Sequence, residues 1–278
     1  MLQAHPAMGK ALLSVPVVIL FLLCLYSCQP DDPGSFLDDA TDPEQSQEDD
    51  EGPVNEKADT SETVMDYDGN SYTVIQIGDQ AWMGENLRAT HYADGTPIPF
   101  VGDGRGWTAV NYPQKAYCWY DDNPLMAESF GALYNYAAAM NSADSSSASP
   151  SGVQGVCPDG WHLPSDAEWK QLEMYLGMDR PEADARGWRG TDQGGSLKEA
   201  GTAHWTSPNS GATNASGFNA LPGGERSYDG IFYNGGLYSR MWSSSMQTYY
   251  ICYRSLSYDG SQVGRHYYCR KNIGYSVR

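Results

Sequence analysis

The stretch "VCPDGWHLPSDAEWKQLEMYLGM" (Val156–Met178) gathers Cys157, Trp161, His162, Asp166, Glu168 and Trp169. A thiol, an imidazole and neighbouring carboxylates are the materials of nucleophilic or acid–base catalysis, or of a metal site. The spacing points elsewhere. Ser165 follows Pro164 and precedes Glu168 by three residues, the pattern of a capping box. Asp166 and Glu168 then fall in the first helical turn, where the helix dipole favours anions by about 0.5 kcal/mol each. Trp169, Leu172 and Leu176 share one face, and Gly177 is placed to stop the helix. On this reading every carboxylate serves the helix terminus. His162 is a packed or hydrogen-bonded structural residue.

The other cysteines and histidines are candidates for the same chemistry. Cys24 lies in an apolar leader and Cys28 just behind it, leaving Cys118, Cys157, Cys252 and Cys269. In an exported protein an even count favours disulfides, with three connectivities open. "YDGSQ" places Gly260 first in a two-residue Gly-Ser loop, the type II′ signature. That loop pairs Asp259 with Gln262 and sets Cys252 opposite Cys269. The two would form a non-hydrogen-bonded pair with Cα atoms about 4.5 Å apart, within disulfide reach. Cys118 and Cys157 then remain for each other, or as free packed thiols. His91, His162, His204 and His266 show no ligand spacing. Asp94, Asp121 and Asp122 read as solvated loop acids rather than a calcium site. No catalytic residue, metal or cofactor is expected.

The elements that would position these groups are short. Tyr72–Ile77 and Gln80–Met83 read as a hairpin about Gly78-Asp79. Ser129–Asn141 reads as a second helix, apolar at Leu133, Tyr136, Ala137 and Met140. One more short helix is predicted at Ser196–Glu199. "AYCWYDD" is a short aromatic strand, and beyond Met178 such strands alternate with Gly/Asn/Asp turns. The predicted class is α+β, with two main helices packed on an antiparallel, loop-rich β-sheet.

The 278-residue chain carries a net charge of −18, unevenly spread. Residues 29–64 hold 13 Asp/Glu and one lysine, whereas residues 65–278 hold 22 Asp/Glu and 15 Lys/Arg. The few basic residues are scattered, so a nucleic-acid partner is not expected. The apolar run "ALLSVPVVILFLLCL" (11–25) is short for a membrane span and suits a signal peptide. "LYSC" (Leu25–Cys28) resembles a bacterial lipobox, which would make residues 1–27 a lipoprotein signal peptide and Cys28 the lipidated residue. Met8 offers an alternative start. Residues 28–64 are acidic, proline-containing and poor in apolar residues, and read as a disordered tether. Acids soon after the lipid site resemble the export signal of surface lipoproteins in Bacteroidetes-type bacteria.

From about Met65 to Arg278 the motifs "DYDGNSYTVIQIGDQAWMGENLRAT", "DGTPIP", "AYCWYDD", "GALYNY", "CPDGWHLPSDAEW", "LKEAGTAHWTSPNSGATNASGFNALPGG", "RSYDG", "WSSS" and "GYSVR" occur in order. In these the domain 65–278 resembles the Fibrobacter succinogenes major paralogous domain family. The resemblance implies a C-type-lectin-like fold, related to the formylglycine-generating-enzyme branch, and an exported, lipid-anchored bacterial protein. The family often continues past "SVR" into a Cys-containing tail. This sequence ends at Arg278 without one, so a family pairing between the Cys157 position and that tail has no partner here.

Three functions fit these features. A binding or adhesion module displayed from the outer membrane, facing the exterior, is favoured by the anchor, the tether and the 20 tyrosines and 8 tryptophans. Its ligand would be glycan or protein, met by Trp107, Trp188, Trp205, Tyr228, Tyr233 and Trp242. A structural or assembly subunit of a cell-surface structure is the alternative. A formylglycine-generating-type oxidase ranks below both, because it would require a reactive cysteine pair or clustered histidine ligands.

Overall fold

The computed structural model describes residues 62–278, Cys269 excepted. The expected signal peptide, Cys28 and nearly all of the expected tether lie outside the described residues. The chain opens with β1 (Thr63–Met65), β2 (Ser71–Ile77) and β3 (Gln80–Met83), an antiparallel sheet in that order. The expected hairpin is present, with Ile77 facing Gln80. Tyr72 packs into one core cluster and Ile77 and Trp82 into another, so the sheet stands between the two.

Next come α1 (Gly104–Ala109), β4 (Tyr117–Cys118), α2 (Ala127–Phe130), β5 (Leu133–Tyr134) and α3 (Tyr136–Ala139). The predicted helix over 129–141 is therefore broken into two single turns with a strand between them. Gly131 is the cause. Its φ of 70° leaves the helical region, and a Cβ there would lie 2.7 Å from the Leu87 carbonyl oxygen. The chain thus passes too close to residues 86–87 to coil. Leu133–Tyr134 instead pairs with β4, and Asn135 starts a new turn by accepting from the Ala138 N–H. The apolar spacing fits a helix, but burial on all sides by neighbouring strands serves equally well.

The longest helix among the described residues is α4 (Asp166–Tyr175), with both halves of the capping box formed by Ser165 and Glu168. Gly177 follows with φ 99°, the left-handed stop that was expected. After α5 (Arg180–Asp184), β6 (Gly187–Arg189) and α6 (Gln193–Leu197) comes the small pair β7 (Glu225–Arg226) and β8 (Phe232–Tyr233). The chain finishes with β9 (Tyr238–Gln247), β10 (Tyr250–Ser257) and β11 (Val263–Tyr268), which join β6 in a four-stranded antiparallel sheet of order β6-β11-β10-β9. The class is α+β with mostly antiparallel pairing. Among the described residues it has one helix of more than two turns rather than two.

The β10–β11 register corrects the cysteine argument. Cys252 faces Tyr267, and Ile251 faces Tyr268, two residues away from the expected pairing. A two-residue turn does not form, because the connection is pulled open by tertiary bonds. The buried Lys198 ammonium donates to the carbonyls of Ser257, Gly260 and Ser210 at 2.8–2.9 Å. Gly195 N–H donates to the Ser261 carbonyl. The approach is so close that a Cβ on Gly194 would lie 2.2 Å from the Gln262 oxygen. Cys118, Cys157 and Cys252 are free, buried thiols; Cys269 lies outside the described residues.

Candidate functional site

The candidate site grows from the start of α4. The Glu168 carboxylate accepts from its capping partner Ser165 N–H at 2.9 Å, from Ser151 N–H at 3.1 Å and from His162 Nε2 at 2.7 Å. Helix entry, the 149–153 loop and the imidazole are thus pinned by one side chain. The Glu168 hydrogen bond raises the His162 pKa above its ordinary value, against an opposing effect of burial. Burial alone would raise Glu168, but His162 and the Ser165 N–H hold it below the usual range. At mildly acidic pH the pair is ionic.

Beside this pair lies a cleft of about 500 Å³ between β3, the 149–164 loop and α4. Trp161, His162, Gln80 and Gln171 line it. Gln80 Nε2 crosses to Gln171 Oε1 at 3.0 Å and to the Glu168 carbonyl, which ties β3 to the helix. Arg278 also lines it and donates to the Met83 and Gly84 carbonyls. Cys157 borders the cleft, but burial pushes its thiol up to about 12, so it holds its proton at neutral pH. The imidazole is already committed to Glu168. The cleft thus sets an aromatic ring and amides beside ionisable groups that are tied into structural bonds.

The opposite side of α4 faces the four-stranded sheet and carries a sealed ion cluster. Glu173 accepts from Arg189 Nη2 at 2.5 Å and from Arg254 Nε at 2.6 Å. Asp166 accepts from Arg254 Nη1 at 2.8 Å and from Arg265 Nη2 at 2.6 Å. The Cys252 thiol donates to Asp166 at 3.0 Å. Burial would raise Asp166, but the Arg265 and Arg254 guanidiniums hold its carboxyl well below the carboxylate range. This corrects the expectation that every acid near the cap serves the helix end, because Asp166 and Glu173 bind β6, β10 and β11 instead. Cys252 is pushed up to about 11, chiefly by burial. It belongs to this cluster.

The six aromatic contact candidates divide evenly. Trp107, Trp205 and Trp242 are core residues, exposed by 2% or less. Their ring N–H groups are consumed by the carbonyls of Asn272, Ala220 and Tyr134. Their assignment as surface contacts is corrected, because large rings here fill the interior. Trp188, Tyr228 and Tyr233 are exposed by 42%, 39% and 42%. Tyr228 and Tyr233 share the β7–β8 hairpin, where Arg270 stacks on Tyr228 at 3.8 Å. Trp188 sits on β6 against His266. None of the six lines the cleft. Its residues Trp161, His162 and Glu168 belong to the opening motif, whose capping pattern points to scaffold alone; the signal for the cleft is an indole and an imidazole placed just before a cap.

Among the described residues, no group of three His, Cys, Asp or Glu side chains is placed to hold a metal, and no helix is long and apolar enough to cross a membrane. Fold and cleft together define an α+β domain whose aromatic and polar cleft is built around a capped helix. The chain belongs to the Fibrobacter succinogenes major domain family, whose model matches residues 75–278. No curated protein and no solved structure matches it.

Proposed function

We propose that this protein is a non-catalytic binding or adhesion module, lipid-anchored through Cys28 and displayed from the outer membrane toward the exterior. Its ligand is a glycan or a protein. The domain is read as C-type-lectin-like, held off the membrane by the acidic segment 28–64. The cleft carries the functional reading: it offers Trp161 and amide groups at the surface, while its ionisable groups are tied into structural bonds. Such sites combine apolar walls with a few placed polar groups.

A glycan array and a panel of extracellular-matrix proteins, probed with the purified chain, test this reading. Saturable binding to one class is the expected result. Uniform failure to bind counts against it, and polymer formation by the purified chain without any ligand would favour a structural subunit instead. Protease shaving of intact cells tests display; full protection would rule it out.

A further inference from the structure

One wall of the cleft is backbone. β3 is an edge strand of its sheet. In an antiparallel pair, successive residues turn their N–H and C=O alternately toward the neighbour and away from it. Gly84 N–H donates to the Thr73 carbonyl, in the same register that sets Trp82 opposite Ile75. Gln80 and Trp82 therefore bond toward β2, whereas Ala81 and Met83 turn their amides outward. Val74 N–H donates to the Glu62 carbonyl on the β1 side, as this alternation requires. The Met83 carbonyl is taken by Arg278 Nε at 2.9 Å. Ala81 N–H, Ala81 C=O and Met83 N–H are left, and among the described residues no group bonds to them. Both residues line the cleft; Ala81 is exposed, whereas Met83 is buried, so Ala81 is the principal contact.

An unpaired strand edge is a template for another extended chain, and proteins commonly blunt such edges with proline, charge or a covering element. Gln80–Met83 contains neither proline nor charge. A cleft of about 500 Å³ lies alongside in place of a cover. We propose that this cleft binds an extended peptide segment of another protein by strand addition to β3. The proposal rests on the binding-module reading and narrows its ligand to a peptide. Ala81 would exchange two hydrogen bonds with one peptide residue, and Met83 N–H would supply a third. Alternate peptide side chains would enter the cleft against Trp161 and His162. A sugar would use the ring and the amides but has no need of the backbone edge.

The test selects linear random peptides displayed on phage against the full chain, with a glycan array probed in parallel. Peptides should enrich. Ala81→Pro removes an outward N–H without removing a bond to β2, a position that edge strands tolerate; it should weaken binding at least about tenfold. Two further measurements use the unaltered chain. Amide exchange at Ala81 and Met83 should slow when the selected peptide is bound, and N-methylation of that peptide should weaken binding at every second position only. No enrichment overturns the proposal, as does binding that leaves exchange at Ala81 and Met83 unchanged and ignores peptide parity. Glycan binding without peptide binding also overturns it but leaves the binding-module reading standing. If neither peptides nor glycans nor matrix proteins bind, both fall.

Discussion

Helix α4 carries acids on two sides, and the two sides do different work. Toward the four-stranded sheet, Asp166 and Glu173 are enclosed with Arg189, Arg254 and Arg265, and every carboxylate there meets a guanidinium. Toward the cleft, Glu168 holds an imidazole that remains about one-third exposed, at 35%. The first side is closed, with its donors and acceptors spent on joining helix to sheet. The second leaves an indole, an imidazole and a strand edge facing solvent. Asp166 and Glu168 are two residues apart and of one chemical type. The location of their partners alone separates a tie between layers from a bracket for a cleft wall.

The contrast can be broken at four points. The largest effect belongs to Glu173→Ala, which strands Arg189 in the interior and leaves Arg254 with Asp166 alone; stability measured by denaturant unfolding should fall by about 3–5 kcal/mol. A loss under about 1 kcal/mol would show that the cluster is not what joins helix to sheet. Lys198→Met leaves three carbonyls around the β10–β11 connection short of a donor. Two of the three carbonyls are only partly buried and can take water instead, so the total loss in the same unfolding experiment should be about 1–3 kcal/mol. Ser165→Ala removes the cap and should cost about 1 kcal/mol, read in the same unfolding experiment.

The smallest effect concerns pH. The His162 pKa is raised in the folded state, so its contribution is full below its ordinary 6.5 and is lost as pH rises through the folded value. The Glu168 pKa is lowered, so its share is lost as pH falls below its ordinary 4.5 through the folded value. The stability difference between the wild-type chain and His162→Gln should therefore be greatest between 4.5 and 6.5 and shrink above that window. A difference that stays flat with pH would contradict an ionic pair.

Local chemistry was legible in the sequence wherever it acts over a few residues. The β2–β3 hairpin, the Ser165–Glu168 box and the Gly177 stop all formed as read. The failures share a cause, which is a decisive partner far away along the chain. Arg254 lies 88 residues from Asp166 and Arg189 lies 16 from Glu173, and no spacing rule joins them. The β10–β11 turn looked self-sufficient until Lys198 claimed its carbonyls from 59 and 62 residues away. The apolar pattern over 129–141 could not reveal that Gly131 presses against the 86–87 backbone. Aromatic residues in glycine-rich segments looked like surface contacts, yet Trp107, Trp205 and Trp242 fill the core. For the site, the motif was visible and its function was not, because the cleft exists only once β3 stands beside the 149–164 loop.

The most direct measurement probes one array of glycans, matrix proteins and selected peptides with the wild-type chain and with Trp161→Ala, after circular dichroism shows both folded. The expected result is binding by the wild-type chain that drops at least about tenfold in the variant. Undiminished binding by Trp161→Ala would contradict the assignment of the cleft as the ligand site.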